Sequence, residues 1–410
     1  MTVYRIVMAL ALPLLLAGWL VRYLRGRAVP GELAERLGRG GNGPVLWLHG
    51  ASHGEITSAR WLVGAVMAAH PGLAVLITCN NPTARAMVQG WGLPGVQAAL
   101  APWDTRGAVA RFLRHWQPRA MIVIENELWP ERLAACAAAG VPVIAIGARM
   151  SAGSARNWAR LAPGLMRRML GSLTFATAQD AASETRLVAL GLPPERLGPR
   201  LMLKAQAGHA QPVTATAPVA RHRCLLAAST HEGEEEAVLH AFRQARDAGA
   251  FDLLILAPRH PARAPAIAAL VAASGLPMAQ RSLGQMPQAG TAVYLADTFG
   301  EMPLWYAMAG VTFIGGTFAD KGGHTPFEPA AQGSALLHGP SVFNFAEVFV
   351  ALDAAGGALA VADAASLGAA LCTLDAEAQA RMAKSARSAL PAMGDTAPLL
   401  AAIDRALARD

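Results

Sequence analysis

The sequence predicts an α/β protein with two doubly wound, Rossmann-like domains that face a cleft, preceded by an N-terminal membrane-anchor helix. Three observations lead to this prediction. The chain has 410 residues, which is too many for one ordinary hydrophobic core. From residue 45 onward, short apolar runs that are typical of strands alternate with helix-like stretches. The alternation stops over residues 206–221 and then resumes, which indicates a second domain.

Residues 1–41 are predicted to form a membrane anchor with a basic flank. The apolar stretch Val3–Leu24 approaches the length needed to cross a bilayer core. Its C-terminal flank is basic and contains Arg22, Arg25, Arg27, Arg36 and Arg39. This bias predicts a single membrane anchor, with the body of the protein in the cytoplasm. A cleaved signal peptide fits less well, because the basic residues mainly follow the apolar run and no clear small-x-small cleavage site follows it. Both a spanning helix and one that dips into the inner leaflet agree with the sequence.

The N-terminal domain is predicted over residues 42–205 and the C-terminal domain over 222–410. Buried parallel strands are predicted in the first domain at Val45–His49, Leu73–Thr78, Ala120–Ile124, Val141–Ile146 and Leu173–Ala178. In the second domain they are predicted at Cys224–Ala228, Asp252–Ala257, Ala292–Leu295, Val311–Gly315 and Ala335–His338. Residues 206–221 are predicted to be a linker, because they are rich in proline, threonine and small residues without apolar periodicity.

Composition and charge narrow the possible functions. Hydrophobic residues make up 53% and charged residues 15%, which excludes broad disorder. The net charge is +7, but the arginines are scattered rather than clustered with aromatic residues, so we expect an anionic membrane surface and an anionic substrate rather than nucleic acid. The spacing of the cysteines suggests neither a zinc site nor a disulfide framework; they are Cys79, Cys136, Cys224 and Cys372. Neither predicted domain carries a G-x-G-x-x-G fingerprint after a strand or a Walker A lysine, which disfavours dinucleotide and P-loop sites.

Polar clusters follow the strands at the positions where open α/β sheets bind ligands. Four of them contain a Ser or Thr followed three residues later by Glu, and the simplest interpretation of each is a capping box. These pairs are Ser52–Glu55, Ser229–Glu232, Thr298–Glu301 and Thr325–Glu328. In the first cluster, Glu55 lies in the first turn of a predicted helix, whose N-terminus favours an ionised carboxylate. Glu55 is therefore the candidate general base, with His53 as its rival.

The second cluster, Glu125–Pro130, places two carboxylates after an apolar strand. Burying Glu125 or Glu127 without partners would be costly, so we expect both to face the cleft. In the third cluster Arg259 stands between Pro258 and His260 at a strand end, which suits a phosphate bound by a guanidinium fork.

The richest cluster is Gly315–Pro329. Its paired glycines permit tight turns, Lys321 adds positive charge, and a helix predicted to start near Pro326 offers amides to an anion. Asp297–Glu301 is a further candidate for contact with a nucleotide. Because no Asp-x-Asp motif follows a strand, we expect charge stabilisation by Arg, Lys and helix termini, with no metal and no cofactor beyond the donor substrate.

The chain resembles the 3-deoxy-D-manno-octulosonic acid (Kdo) transferase family over nearly its whole length. The matching segments occur in the family's order and spacing; they are His49–Glu55, Glu125–Pro130, Ala227–Glu236, Pro258–Pro261, Asp297–Leu304 and Gly315–Phe345. The resemblance implies a GT-B fold, CMP-Kdo as donor, and transfer to lipid IVA, a lipid A precursor, at the cytoplasmic face of the inner membrane.

The resemblance also implies roles for individual residues. Glu55 matches the family's proton acceptor, while Lys204 and either Glu125 or Glu127 match positions that steady the transition state. The segments implied to bind CMP comprise Pro258, Arg259, Phe299, Gly300, Glu301, Thr325, Pro326, Phe327 and Glu328. The chain departs from the family pattern at His53, where valine is usual, at Thr325, where asparagine is common, and at Arg200–Lys204, where Gly-Asn-Leu-Lys is common.

The predicted function is inverting transfer of Kdo from CMP-Kdo to lipid IVA in lipopolysaccharide biosynthesis. One alternative is a GT-B transferase that uses a different nucleotide sugar. Another is a catalytically silent paralogue that binds lipid or nucleotide, which the departures from the family pattern would suit. The number of Kdo units transferred is not predicted.

Overall fold

The computed structural model describes residues 1–205, 213 and 215–408, and it divides into two compact units. Unit 1 comprises Met1–Leu203 and Met393–Asp410, and unit 2 comprises Lys204–Ala392. The predicted linker, residues 206–221, lies outside the described residues except for residue 213 and residues 215–221. The predicted α/β class with two parallel sheets is confirmed.

Unit 1 is built on a six-stranded sheet in the order β3-β2-β1-β4-β5-β6, and every recorded pairing is parallel. Its strands are β1 (Val45–His49), β2 (Val75–Cys79), β3 (Val96–Leu100), β4 (Pro118–Ile124), β5 (Val143–Ala148) and β6 (Leu173–Ala178). Every residue of β1, β2 and β5 is buried, because helices cover both faces of the sheet.

The helices of unit 1 precede, connect and follow these strands. They are α1 (Thr2–Leu24), α2 (Glu32–Arg36), α3 (His53–Ser58), α4 (Arg60–Ala69), α5 (Pro82–Gln89), α6 (Arg106–Trp116), α7 (Pro130–Ala138), α8 (Ala152–Leu161), α9 (Pro163–Gly171), α10 (Ala181–Ala189) and, from the C-terminus, α18 (Ala397–Leu407). Several begin with a side-chain cap; for example, Asn81 accepts the Ala84 amide at 2.7 Å.

Unit 2 is built on a seven-stranded parallel sheet in the order β13-β12-β11-β7-β8-β10-β9. Its strands are β7 (Cys224–Thr230), β8 (Leu253–Pro258), β9 (Met278–Gln280), β10 (Val293–Leu295), β11 (Val311–Ile314), β12 (Ala335–His338) and β13 (Ala358–Ala360). Its helices are α11 (Glu234–Asp247), α12 (Ala264–Ser274), α13 (Met302–Met308), α14 (Phe327–Ala331), α15 (Ala346–Ala354), α16 (Ala364–Thr373) and α17 (Ala376–Ala389).

The structure contains every predicted strand and adds β3, β9 and β13. β13 and β9 lie at the two edges of their sheet, and β3 lies at an edge of the other. Each is short or alanine-rich, so its apolar pattern is weak.

The C-terminal boundary differs from the predicted domain 222–410, because the chain returns to unit 1 at Met393. Helix α18 buries Leu399, Ile403 and Leu407 in the same core cluster as β1, β2 and β4. The physical reason is that this apolar face covers one side of the first sheet. A local sequence pattern shows that a helix is amphipathic but not which sheet it covers.

Candidate functional site

The first sheet has its topological switch point between β1 and β4. These strands are neighbours in the sheet, although β2 and β3 separate them in sequence, and their pairing runs to His49 opposite Val123. Ligands of open α/β sheets bind at such a point, beyond the carboxyl ends of the strands. The predicted clusters His49–Glu55 and Glu125–Pro130 both follow these strands, so the structure brings Glu55, Glu125 and Glu127 to one edge.

Glu55 is half-buried at the start of α3 and is held by its own turn. Its Oε2 accepts the Ala51 amide at 2.8 Å, and its Oε1 accepts the Ser52 hydroxyl at 3.0 Å. Ser52 Oγ in turn accepts the Glu55 amide at 3.3 Å, so Ser52 caps α3 as the sequence predicts. These contacts fix the direction of the carboxylate.

The ionisation of Glu55 differs from the expectation that the helix N-terminus keeps it charged. Burial raises the pKa of Glu55 to about 7, and the negative charge of Glu125 adds to this effect. The hydrogen bonds from Ala51 and Ser52 oppose the rise but do not cancel it, because desolvation of the carboxylate is larger. A carboxyl group with a pKa near 7 suits a general base, since it can both release and accept a proton at physiological pH.

Glu125 directly follows β4 with a φ of 52°, a left-handed conformation that is uncommon outside glycine. Its amide donates to the Ile146 carbonyl at 3.0 Å, so β5 holds it in this conformation. Such strain costs about 1–3 kcal/mol and clusters at functional sites.

Glu127 is held by contacts with three side chains. Its Oε2 accepts the Trp129 indole N–H at 2.7 Å and the Asn80 amide at 2.9 Å, and it lies 3.0 Å from His49 Nε2. Burial alone would raise the pKa of Glu127, but these contacts outweigh it and lower the pKa to about 2. Glu127 is therefore a carboxylate throughout the physiological range.

Glu127 is supported by a buried polar chain of three side chains, His49, Arg132 and Asp104, that the sequence analysis did not assign. His49 is fully buried, and its Nε2 lies 2.7 Å from Arg132 Nη1. Burial and then the charge of Arg132 lower the pKa of His49 to about 4, so the ring is neutral. Arg132 also donates to the Pro102 carbonyl at 2.8 Å, and Asp104 accepts its backbone amide at 2.9 Å.

The sequence does contain a signal for this buried polar chain of side chains. His49 ends an apolar strand and Arg132 lies in a helix of mostly small residues, so both can be buried only with polar partners. The partners themselves come from loops after β2 and β3, which sequence spacing does not connect with them.

In unit 2 the switch point lies between β7 and β11, the two central strands from which the order runs outward in opposite directions. Ser229 in β7 has a φ of 58°, where the pairing of β7 with β8 shifts register. A Cβ on Gly315, after β11, would lie 2.5 Å from the Ser229 carbonyl oxygen, so only glycine allows this approach.

Positive side chains gather at this end of the second sheet. Arg259 follows β8 and is exposed, and Lys204 lies with its Nζ 5.4 Å from the centre of the Phe345 ring. Burial lowers the pKa of His324 to about 3, and the positive charges of Arg259 and Lys204 contribute to this lowering. Lys204 belongs to unit 2, and its charge acts on His324 in the predicted segment Gly315–Pro329.

Two histidines in this cluster lie within hydrogen-bond distance of each other. His231 and His324 are stacked at 5.2 Å with their Nε2 atoms 2.9 Å apart, so one nitrogen donates and the other accepts. Burial lowers the pKa of His231 as well, and Lys321 and Arg259 contribute positive charge to this lowering. The sequence analysis did not assign His231.

Thr325–Glu328 lies after β11 as predicted, but its local structure differs from the expected capping box and anion-binding helix. Helix α14 begins at Phe327 and has five residues, so its dipole is small. The Phe327 amide donates to Thr325 Oγ1 at 3.4 Å. Glu328 instead hydrogen-bonds Tyr306; burial raises the pKa of Glu328, while this bond and the charge of Lys204 oppose the rise.

The loop after β11 differs from the expected open glycine cradle. Glu234, which the sequence analysis did not single out, is buried and accepts amides from this loop: Gly316 at 2.7 Å, Thr317 at 3.0 Å, Phe318 at 2.9 Å and Ala319 at 3.3 Å. These amides are thus occupied by an internal carboxylate. The predicted pair Ser229–Glu232 is not a capping box either, because α11 begins at Glu234 after Gly233.

Phe299, Gly300 and Glu301 follow β10. Phe299 is 61% exposed and Gly300 has a φ of 87°. Glu301 accepts hydrogen bonds from Arg281 Nε and Nη2, at 3.0 and 2.6 Å, and from the Thr298 hydroxyl. Its carboxylate therefore orders the loop, and Phe299 and Gly300 in that loop are exposed to solvent. Among residues 1–205, 213 and 215–408, no group of three or more His, Cys, Asp or Glu is arranged to hold a metal ion.

Comparison with known proteins gives the family. A family model described as 3-deoxy-D-manno-octulosonic-acid transferase (kdotransferase) matches residues 31–207. A 3-deoxy-D-manno-octulosonic acid transferase from Bordetella pertussis is 36% identical over 374 residues, covering 84% of this chain and 85% of the relative. The corresponding protein from Haemophilus influenzae is 31% identical over 341 residues, covering 80% of each chain.

The fold has a solved counterpart over most of its length. The structure of UDP-GlcNAc 2-epimerase from Neisseria meningitidis bound to UDP-GlcNAc aligns with a TM-score of 0.59 at 13% identity, covering 88% of this chain and 99% of that one. At this identity the likeness concerns the two-sheet architecture alone. The extent and identity of the sequence matches decide the family: the chain belongs to the 3-deoxy-D-manno-octulosonic acid transferases, a family of glycosyltransferases.

Proposed function

We propose that this glycosyltransferase moves Kdo from CMP-Kdo to lipid IVA with inversion at the anomeric carbon, in lipopolysaccharide biosynthesis. Membership of the family supports the transferred sugar. The observation that carries the mechanism is the state of Glu55, a half-buried carboxylate with a pKa near 7 at the switch point of the first sheet.

On the acceptor side, Glu55 takes the proton of the attacking hydroxyl. The acceptor oxygen then forms a bond to the anomeric carbon of Kdo, and the bond from that carbon to the phosphate oxygen breaks. CMP leaves with the electron pair of the broken bond, and the acceptor proton remains on Glu55. Attack from the face opposite the leaving group gives inversion in a single displacement.

The two other carboxylates of unit 1 have different roles in this proposal. Glu127 is ionised and held rigidly, so it can face positive charge that develops on the sugar ring in the transition state. Glu125 acts on Glu55, because its negative charge raises the pKa of that carboxyl group.

On the donor side, unit 2 offers a cationic cluster for a substrate that carries a phosphate and a sugar carboxylate. Arg259 and Lys204 supply the charge, and Pro258 and Thr325 to Glu328 line the same end of the sheet. The exposed aromatic ring of Phe299 and the adjacent Gly300 suit the nucleoside, and Glu301 keeps their loop in place.

We further propose that the protein works at the cytoplasmic face of the inner membrane. Helix α1 is long and apolar enough to enter a bilayer, with a mean hydropathy of 1.9, and arginines follow it.

The test uses full-length protein with CMP-Kdo and lipid IVA, and detects the product by mass spectrometry. Glu55→Gln should lower the transfer rate by about 10²–10⁴-fold, the usual contribution of a general base. Glu195→Gln, an exposed change in the same unit, is the matched control. Calorimetry should show that CMP binds and that UDP competes poorly with it. The variant Arg259→Ala should bind CMP with lower affinity.

Three outcomes would contradict the proposal. Near-normal turnover of Glu55→Gln would remove Glu55 as the base, and unchanged CMP affinity in Arg259→Ala would remove Arg259 from the donor site. Tight CMP binding without any product in the unmodified protein would indicate a silent paralogue. NMR of the product's anomeric configuration tests inversion.

A further inference from the structure

Helix α1 is attached to unit 1 at both of its ends. In its first turn, the Tyr4 hydroxyl donates to Asp104 at 2.7 Å, and Arg5 forms a fork with Glu131 at 2.8 and 3.0 Å. In its last turn, Arg22 pairs with Glu32. The acidic partners belong to the body, at the loop after β3, in α7 and in α2.

The carboxylates in these attachments are buried, whereas the side chains of Arg5 and Arg22 are 42% and 43% exposed. The side chains of Asp104 and Glu32 have no exposed area, and that of Glu131 is 3% exposed. A buried carboxylate that loses its partner is left desolvated, which is strongly unfavourable. Asp104 also accepts the amides of Glu131 and Arg132, so the first turn of α1 joins the polar chain that supports Glu127.

The two attachments lie so far apart along α1 that they could not both be on one side of a bilayer if the helix crossed it. Tyr4 and Arg22 are eighteen positions apart, and a rise of 1.5 Å per residue separates them by about 27 Å. This is nearly the thickness of the hydrocarbon core, about 30 Å. If α1 crossed the bilayer, one attachment would lie on the far side, away from the unit to which it is bonded.

The exposure of α1 has the period of a helix that lies along a surface. Across the fully described helix, no residue is completely buried. The half-buried positions recur every three or four residues and are Tyr4, Met8, Ala11, Leu12, Leu15, Leu16, Trp19 and Arg22. The opposite stripe is apolar and exposed, at Val3, Val7, Leu10, Leu14, Val21 and Leu24. One stripe therefore faces the protein and the other faces outward.

We propose that α1 lies in the plane of the membrane surface, attached to unit 1 along its length, with its outward apolar stripe in the lipid. This rests on the proposed membrane location and decides between the two arrangements that the sequence left open. Leu10 and Leu14 are 72% and 75% exposed, which is costly in water and favourable in lipid. The occupant is a bilayer with anionic headgroups rather than a second copy of this cationic chain, because Arg25 and Arg27 are exposed next to the stripe.

The decisive experiment labels single cysteines in the full-length protein in native membranes. Cys79, Cys136 and Cys224 are buried, so Cys372→Ser gives a suitable background. In that background, Thr2→Cys tests the start of α1, and Arg27→Cys is the control at its other end. The reagent is a maleimide that does not cross membranes, applied to inverted inner-membrane vesicles and to spheroplasts.

An in-plane helix places both cysteines on one side. Thr2→Cys and Arg27→Cys should both react in inverted vesicles and be protected in spheroplasts. Reaction of Thr2→Cys in spheroplasts, with Arg27→Cys reacting only in inverted vesicles, would show a spanning helix and overturn the proposal while leaving the membrane location intact. Recovery of the chain in the soluble fraction would instead contradict the membrane location itself.

Flotation with vesicles of phosphatidylethanolamine and phosphatidylglycerol tests what the stripe contacts. The double variant Leu10→Gln, Leu14→Gln should lower the partition into vesicles at least about tenfold. The matched control is Leu283→Gln, a leucine of unit 2 that is 66% exposed. A loss no greater than that of the control, or a dimer that forms through the stripe without vesicle binding, would overturn the proposal.

Discussion

At the scale of single residues, three glutamates at one sheet edge differ in ionisation because their surroundings differ. Glu127 receives hydrogen bonds from Trp129 and Asn80 that stabilise its charged form. Glu55 accepts hydrogen bonds from Ala51 and Ser52, but it is desolvated next to another negative charge, and these two effects are larger. The same chemical group is thus a permanent anion at one position and a titratable base at the other.

The rate of transfer should rise with pH around neutrality. The pKa of Glu55 is raised to about 7, so the carboxylate that acts as base is scarce below this pH and complete above it. Glu125→Gln removes a negative neighbour and should move the midpoint of the rate profile to lower pH. Single-turnover rates with saturating substrates, measured from about pH 5 to 9, check this.

Glu195→Gln is the control, because the same change at an exposed position should leave the midpoint in place. A midpoint that stays near 7 in Glu125→Gln would mean that Glu125 does not act on Glu55.

At the scale of elements, the loop after β11 is ordered by a carboxylate from α11. Glu234 lies in the first turn of α11 and gathers the amides of the loop, and its Oε2 also accepts the His231 amide at 2.8 Å. Lys321 and His324 belong to this loop, and the charges of Lys321 and Arg259 both act on His231. An internal anion therefore shapes the place where we expect an external anion to bind.

Replacing Glu234 should destabilise unit 2 and weaken CMP binding. Glu234→Gln places an amide group against backbone N–H donors, so the free energy of unfolding should fall by about 3 kcal/mol. Chemical denaturation and calorimetry with CMP measure the two effects. Glu236→Gln, an exposed change in the same turn, should leave both unchanged. Equal stability of the two variants would contradict this account of the loop.

At the scale of the whole molecule, the C-terminal segment of the chain belongs to unit 1, which also contains the N-terminal segment. Helix α18 returns from unit 2 and covers the first sheet with Leu399, Ile403 and Leu407, which are 1%, 0% and 3% exposed. The core of unit 1 is therefore completed by a helix that follows unit 2 in the sequence.

Ile403→Ala should lower the free energy of unfolding of unit 1 by about 3 kcal/mol, because it opens a cavity in a fully buried position. Arg405→Ala, at an exposed position of the same helix, is the control and should have little effect. Hydrogen exchange that follows β1 and β4 separately from β7 and β11 measures the loss. Protection that falls in β7 and β11 but not in β1 and β4 would contradict the assignment of α18 to unit 1.

The amino-acid sequence by itself determined the class of fold, the order of the main strands and the positions of the polar clusters. It could do so because buried parallel strands are continuous apolar runs, and because Glu55, Glu125 and Arg259 each lie directly after or near such a run. The strands it missed, β3, β9 and β13, lie at edges, where burial leaves a weaker pattern.

Only the tertiary structure decided which residues meet. It placed His49 and Arg132 behind Glu127, Glu234 inside the glycine-rich loop, and α18 on the first sheet. It also raised the pKa of Glu55 against the expectation from its helix. The physical reason is that hydrogen bonding and desolvation depend on distances between segments far apart in the chain, whereas sequence patterns report only which side chains must be buried.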